Sequence, residues 1–199
     1  MHQHKQIVKN SKYKPSYYVI NGITLYRVIA APFLLILLFN RQYALFKWLI
    51  AISFFTDLID GYLARKYKVT SIFGTRLDSI GDDLTIVVAL IGLFVMRPAF
   101  IKQEAVIFIL LFVLFIVQTA YAVIRYGKIT SFHTYLAKIA AILQGVFLLL
   151  FFFSDKPSFF LFYAAAIVTI LELSEEIILV YILPNWKANI KGLFWVMKE

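Results

Sequence analysis

The sequence predicts an all-α membrane protein, a bundle of six transmembrane helices with an N-terminal interfacial segment. Hydrophobic residues make up 62% of the 199 residues, against about 45–50% in a typical soluble domain. The mean hydropathy is +0.82, and apolar runs close to the ~20 residues that a bilayer crossing needs recur along the chain. There is no cysteine, which excludes a disulfide framework and a thiolate metal site.

The N-terminal arm, residues 1–20, is predicted to be cytoplasmic. It is polar and basic and ends in an interfacial segment that Tyr17 and Tyr18 anchor. It does not show the pattern of a cleavable signal peptide. The transmembrane domain is predicted to follow at 21–184. An interfacial cytoplasmic tail is predicted at 185–199.

Six apolar segments are predicted to cross the membrane. They are placed at roughly 22–40, 43–64, 79–97, 104–124, 135–154 and 158–183. The short connections at 41–42 and 155–157 favour antiparallel neighbours in a helical bundle.

The distribution of basic residues predicts the orientation of the bundle. Of the 20 Lys and Arg residues, 15 fall in the N-terminal arm, at the start of the first span, in 65–78, in 125–138 or in the tail, and the other 5 fall on the opposite side. The positive-inside rule then places both termini in the cytoplasm, at the inner membrane. It also explains the net charge of +9 without a nucleic-acid partner.

A group of aspartates interrupts the apolar pattern on this cytoplasmic side. Asp57 and Asp60 are three residues apart in the second span, and Asp78 and Asp82 are four apart at the third. On a helix both spacings put a pair on one face. A mid-membrane Asp costs about 2.5–3.5 kcal/mol, so such residues indicate a functional site. Four carboxylates form an oxygen-rich site suited to Mg²⁺, Mn²⁺ or Ca²⁺.

The same stretch resembles the signature of the CDP-alcohol phosphatidyltransferase family, which the chain matches at every fixed position. The matching residues are Asp57, Asp60, Gly61, Ala64, Arg65, Gly74, Asp78 and Asp82. The resemblance implies six membrane helices, a homodimer, and transfer of a phosphatidyl group from CDP-diacylglycerol to a hydroxyl acceptor with release of CMP.

The resemblance also implies a role for each of these positions. Two divalent cations, Mg²⁺ or Mn²⁺, would be held by Asp57, Asp60, Asp78 and Asp82, and Asp82 would be the general base. The CDP pocket would be formed by Asp60, Gly61, Ala64, Arg65 and Gly74. The alternative without catalysis is a network of ion pairs between the aspartates and Arg65, Lys66 and Arg76.

The chain departs from the family pattern at Asp83, where many members have Lys. Asp83 puts a second negative charge beside the proposed base. In the first span, Asn21, Thr24 and Arg27 resemble the family's first helix. Arg27 is expected to contact phosphate or the second span, or to extend to the inner interface.

The acceptor is predicted to meet basic residues near the loop between the fourth and fifth spans. Arg125 and Lys138 are the candidates for this cationic site, with Ser131 and His133 as further contributors. Glycerol 3-phosphate is the first choice of acceptor, and phosphatidylglycerol and inositol phosphate are alternatives. Ordinary positive-inside anchoring would explain the same residues without a ligand.

Two features leave other interpretations open. Three glutamates on one side of the last span, Glu172, Glu175 and Glu176, need partners at that depth, either basic groups of another span or a polar cavity. A divalent-cation transporter would also use membrane carboxylates, but the second and third spans continue outward as the largely apolar runs WLIAISFF and TIVVALIGLFV, with no polar path. A catalytically silent family member is a third interpretation.

Overall fold

The computed structural model describes the backbone of residues 15–67 and 72–198, and the side chains of residues 22–57, 59 and 80–198. Within these ranges the chain is helical apart from loops and one isolated bridge. The helices are α1 (Pro15–Phe39), α2 (Tyr43–Tyr67), α3 (Ile72–Met96), α4 (Pro98–Gln103), α5 (Ala105–Tyr126), α6 (Tyr135–Phe153), α7 (Phe159–Ile182) and α8 (Leu193–Val196).

In the part of the chain that the structure describes, six long helices lie at the six predicted segments, with three differences. Helix α3 begins at Ile72, seven residues before the predicted third span. Helix α1 begins at Pro15, so residues 15–20 of the predicted arm share a helix with the first predicted span. The short helix α4 was not predicted. Pro98 occupies its first turn, where a proline costs no hydrogen bond because the first amides of a helix have no partner inside it.

Local signals explain several helix ends. Thr134 precedes α6 and its hydroxyl accepts a hydrogen bond of 3.1 Å from the amide of Ala137. Ser158 caps α7 in the same way through Leu161. Helix α5 ends at Gly127, which has the left-handed conformation that commonly terminates helices.

Among the residues that the structure describes, three helices are long and apolar enough to cross a membrane by length and composition. They contain the segments Gly22–Phe39, Ala105–Tyr126 and Tyr135–Phe153. Only 11% of the segment in α5 is buried inside the protein, so its apolar side chains need an apolar medium around them. These helices indicate an integral membrane protein.

The chain divides into two units, residues 1–90 and residues 91–199. In the first unit α1 packs against α2. The side chains buried in this unit include Leu34, Leu38, Phe46, Ile50 and Val88. The tight turn between α1 and α2 includes Arg41, whose φ of 59° lies in the left-handed region.

In the second unit α5 and α6 both pack against α7. An aromatic cluster surrounds Phe100, whose ring lies 5.1 Å from that of Phe162 and 5.7 Å from that of Phe151. A second cluster contains Ala122, Phe132, Leu179, Val180 and Leu183. The chain after α7, residues 184–198, is called the C-terminal segment below.

Candidate active site

The aspartates of the signature lie on two helices of the first unit. Asp57 and Asp60 belong to α2, and Asp78 and Asp82 belong to α3. Because each helix is continuous across its pair, the spacings of three and four residues put both members of a pair on one face. The backbone therefore has the arrangement that the sequence predicts.

Arg27 of α1 joins α2 to α3 in this region. Its Nη1 atom donates a hydrogen bond of 2.5 Å to Oδ1 of Asp57 and also donates to Oδ1 of Asp82. The two aspartates are 25 residues apart in sequence, and their carboxylates converge on one nitrogen atom. The expected contact of Arg27 with the second span is observed, and its contact with phosphate stays a prediction. The contact with Asp82 was not predicted.

The two sides of this ion-pair group differ in their access to solvent. The side chain of Arg27 is fully buried, whereas those of Asp57 and Asp82 are 40% and 44% exposed. The backbone of α3 lies against the guanidinium at Gly81, where a Cβ atom would be 3.6 Å from Cζ of Arg27. The carboxylates therefore form a partly open surface over a buried positive charge.

Asp83 differs from Asp82 in its surroundings. It is exposed, while Asp82 is only partly so. Neighbouring positions on a helix point about 100° apart, which accounts for the difference. Asp83 adds negative charge close to the site, and no described contact joins it to Arg27.

Several predicted site residues lie outside the described side chains. They are Asp60, Gly61, Ala64, Arg65, Gly74 and Asp78, of which only the helical backbone is described. The described side chains also do not include the alternative ion-pair partners, which are Arg65, Lys66 and Arg76. The assignment of these residues to the CDP pocket or to metal binding therefore stays a prediction.

The described carboxylates fit a divalent cation. Oxygen ligands of Mg²⁺ and Ca²⁺ lie at about 2.0–2.6 Å, and two carboxylate oxygens from different helices already converge on one positively charged group here. Among the side chains that the structure describes, no group of three or more acidic or histidine residues is placed to hold a metal ion. A full ligand set would need Asp60 and Asp78 in addition.

The two residues predicted to bind the acceptor both lie in the second unit and have partners there. Nη2 of Arg125 donates to the carbonyl of Leu183 at 3.3 Å. Leu183 follows the last residue of α7, and its carbonyl has no partner within the helix. Nζ of Lys138 lies 5.2 Å from the centre of the Tyr135 ring. Both side chains are exposed and remain accessible to an anionic ligand.

Ser131 and His133, the further candidates, lie in the loop between α5 and α6. The Ser131 hydroxyl and Nε2 of His133 are 3.1 Å apart. His133 has a φ of 55°, in the left-handed region. Their described contacts are local, and a ligand role for either stays a prediction.

Two of the three glutamates of α7, Glu175 and Glu176, have neutral partners where the sequence suggested basic groups or a polar cavity. Oε2 of Glu176 accepts hydrogen bonds from Gln118 at 2.6 Å and from Thr130 at 2.9 Å. Oε1 of Glu175 accepts from the backbone amide of Leu193 at 2.8 Å. Sequence reasoning missed Gln118, although a lone glutamine in an otherwise apolar helix was a signal that could have identified it.

The C-terminal segment is joined to the α5–α6 loop mainly through backbone groups. The amide of Asn189 donates to the carbonyl of Ser131 at 3.0 Å, and the amide of Tyr135 donates to the carbonyl of Lys191 at 3.1 Å. The indole of Trp186 donates to the carbonyl of Ile129. The C-terminal segment therefore holds in place the loop that is predicted to meet the acceptor.

Comparison with known proteins agrees with the signature. The family model for CDP-alcohol phosphatidyltransferase matches residues 17–171. A CDP-diacylglycerol–glycerol-3-phosphate 3-phosphatidyltransferase of Haemophilus influenzae is 40% identical over 73 residues, which are 35% of this chain and 39% of that protein. Proteins of the same name from Cereibacter sphaeroides and Pseudomonas fluorescens are 40% identical over 77 residues and 36% identical over 74 residues.

These matches to relatives are partial. The matched segment is 36% of this chain in both of the last two cases, and 34% and 38% of the respective relatives. No solved structure gives a significant match. The family model extends over most of the sequence, and on that ground the chain belongs to the CDP-alcohol phosphatidyltransferase family.

Proposed function

We propose that this protein transfers a phosphatidyl group from CDP-diacylglycerol to the hydroxyl group of glycerol 3-phosphate and releases CMP, in phospholipid biosynthesis. The family membership supports the reaction class. The relatives named above are glycerol-3-phosphate 3-phosphatidyltransferases, which supports the choice of acceptor over phosphatidylglycerol and inositol phosphate.

The observation that carries this proposal is the convergence of Asp57 and Asp82 on one cationic atom from two different helices. Carboxylates that meet in this way can share a cation, and the signature supplies Asp60 and Asp78 on the same helices. Asp57, Asp60, Asp78 and Asp82 would hold two divalent cations. When bound, such cations neutralise a pyrophosphate and favour departure of the nucleotide.

The residues of this chain supply positioning and proton transfer. Gly61, Ala64 and Gly74 are proposed to leave room for the CDP group because these residues are small, and Arg65 is proposed to pair with its phosphate oxygens through the planar fork of donors of a guanidinium. Asp60 contributes to both the nucleotide and the metal sites. Asp82 accepts the proton of the acceptor hydroxyl.

The bonds made and broken follow from this arrangement. The acceptor oxygen forms a bond to the β-phosphorus, which bears the diacylglycerol. The bond from that phosphorus to the oxygen bridging the two phosphates breaks, and CMP leaves with the electron pair. The proton passes to the carboxylate of Asp82. Because the reaction is a substitution at phosphorus, no oxidation state changes and no oxidant or reductant is required.

Arg125 and Lys138 are proposed to bind the phosphate of the acceptor. Both are exposed and both adjoin the loop that the C-terminal segment holds. Their positive charges suit an acceptor that carries a phosphate group. A neutral alcohol would not need these charges for binding.

The proposed topology has six membrane-crossing helices, both termini in the cytoplasm and the active site on the cytosolic side of the inner membrane. The cytoplasmic arm is assigned to 1–20, the transmembrane catalytic domain to 21–184 and the interfacial tail to 185–199. The excess of Lys and Arg in one set of loops supports this orientation. The protein is proposed to act as a homodimer.

The test is an assay of CMP release by the purified protein. The protein is incubated with CDP-diacylglycerol and Mg²⁺ or Mn²⁺, together with glycerol 3-phosphate, phosphatidylglycerol or inositol phosphate. Release that depends on glycerol 3-phosphate supports the proposal, and release with another acceptor of the panel corrects the substrate. The absence of CMP with every acceptor would refute the reaction itself.

The alternative of a divalent-cation transporter has no support among these findings. The family and the matching relatives are transferases. Uptake of ⁵⁴Mn²⁺ into proteoliposomes that contain the protein would be the result in its favour.

A further inference from the structure

We propose that Arg27 is an internal counter-ion of the Asp57 and Asp82 carboxylates, and that divalent cations bind there by displacing its guanidinium. This inference rests on the metal-binding role proposed above for these aspartates. It assigns to α1, which lies outside the signature, control over the affinity of these carboxylates for metal.

The contacts of Arg27 give the first reason. Its Nη1 atom carries two hydrogens and donates to one carboxylate on α2 and one on α3. That nitrogen therefore occupies the point at which the two carboxylate oxygens meet. A divalent cation bound by the same two oxygens needs this position, so the guanidinium and the metal exclude each other.

Burial gives the second reason. The Arg27 side chain is 0% exposed, and α3 lies against it at Gly81. A buried charge is costly unless it is paired. Pairing with the carboxylates of Asp57 and Asp82 therefore stabilises the buried guanidinium of Arg27. The aspartates, being 40% and 44% exposed, are open to a cation that enters from the other side.

Two roles for Arg27 make opposite predictions. If Arg27 only orients the aspartates for the metal, its removal weakens metal binding, because the ligands lose their arrangement. If Arg27 competes with the metal, its removal strengthens binding, because the carboxylates keep their negative charge and lose their internal cation. The direction of the change in affinity separates the two.

The experiment measures the Kd for Mn²⁺ by electron paramagnetic resonance on detergent-solubilised protein without substrate. Arg27→Gln is expected to bind Mn²⁺ at least about tenfold more tightly than the wild type, given the strength of close charge interactions in a partly buried site. It should also unfold at a lower temperature in EDTA and show a larger stabilisation by Mn²⁺. Arg41→Gln removes the same charge from an exposed position of the same unit and should leave the Kd unchanged.

Arg27→Lys provides a second test. It keeps the charge, so its Kd should stay nearer to that of the wild type than to that of Arg27→Gln. An unchanged or weaker affinity in Arg27→Gln would overturn the proposal. Failure of Arg27→Gln to fold even at saturating Mn²⁺ would also count against it, because a metal that takes the place of the guanidinium should restore the pairing.

The result is separable from the proposed enzyme activity. Mn²⁺ binding that tightens in Arg27→Gln supports the exchange even if the wild type releases no CMP with any acceptor, in which case only the transferase proposal fails. CMP release by the wild type together with weaker Mn²⁺ binding in the variant would leave the transferase proposal standing and refute the role of Arg27.

Discussion

The side-chain amide of Gln118 in α5 donates a hydrogen bond of 2.6 Å to the carboxyl group of Glu176 in α7, and both side chains are buried. The same amide nitrogen donates to the hydroxyl of Thr130 in the following loop at 2.7 Å. The Thr130 hydroxyl in turn donates to Glu176. This closed triangle joins two helices and a loop at one point of the second unit.

Gln118→Leu is expected to lower the stability of the second unit. The change leaves the buried carboxyl group of Glu176 without one of its donors, at a cost of about 1–3 kcal/mol. The unfolding midpoint in detergent should fall, while Gln103→Leu, at an exposed position of α4, should have little effect. Equal effects of the two substitutions would show that the triangle is not a stabilising element.

Asp82→Asn is expected to abolish turnover and to preserve the fold. The amide has the shape of the carboxyl group but cannot accept the proton, and loss of a general base costs about 10²–10⁴-fold in rate. Steady-state CMP release is the measurement, with the unfolding midpoint as a check on folding. Asp83→Asn, one residue along and exposed, is the matched control and should retain activity of the same order as the wild type. If only Asp83→Asn were inactive, the base would have to be reassigned.

Lys138→Ala is expected to raise KM for glycerol 3-phosphate and to leave the binding of CDP-diacylglycerol unchanged. The side chain is exposed and its ammonium group lies beside Tyr135, so its removal should affect the anionic acceptor more than the fold. Kinetics with each substrate varied in turn measure both effects. Lys156→Ala, predicted to lie on the opposite side of the membrane, is the control. Unchanged acceptor kinetics would remove Lys138 from the site.

Treatment with EDTA is expected to stop CMP release, and added Mg²⁺ or Mn²⁺ should restore it. The proposed metal ligands are negatively charged, and they repel the pyrophosphate of the substrate unless cations lie between them. Release of CMP is followed before and after the addition. Full activity after exhaustive chelation would refute a metal-dependent reaction.

Gly192→Ala is expected to weaken the attachment of the C-terminal segment. Gly192 has a φ of 148°, and a Cβ atom there would lie 3.0 Å from Oε1 of Glu175, the atom that accepts from the Leu193 amide. A strained backbone conformation of this kind costs about 1–3 kcal/mol in a non-glycine residue. Trypsin should cleave the variant faster after Lys187 or Lys191.

Gly145→Ala is the matched control for this substitution. A Cβ atom at Gly145 would have no neighbour within 4 Å. Alanine in a helix is also more favourable than glycine by up to about 1 kcal/mol. The control should therefore be cleaved no faster than the wild type. Faster cleavage in both variants would contradict the special role of Gly192.

The sequence predicted the helical segments well because their signals are local. Apolar runs of membrane length placed the long helices. The spacing of Asp57 and Asp60 was enough to predict their common helix face, since that depends only on the helical repeat. Helix α4 was missed because six residues at 98–103 are too few for a periodic pattern.

The contacts that define the site were harder to predict because they join distant parts of the chain. Arg27 meets carboxylates 30 and 55 residues away. Gln118 meets one 58 residues away. A single sequence contains no signal that selects these partners from the other polar residues. Part of the attachment of the C-terminal segment is made between backbone groups, which leave no side-chain pattern to detect.

That attachment has a consequence for how this stretch tolerates change. The amide of Asn189 would be present with any residue but proline there, and the carbonyl of Lys191 with any residue at all. Single replacements at the exposed positions Lys187, Ala188 and Lys191 should therefore be accepted, whereas Trp186 contributes its indole hydrogen bond and Asn189 has a left-handed φ of 58°. Insertion or deletion of one residue in this stretch would shift every later backbone group out of line with its partner, so at the three exposed positions the length of the stretch is constrained more than the side chain.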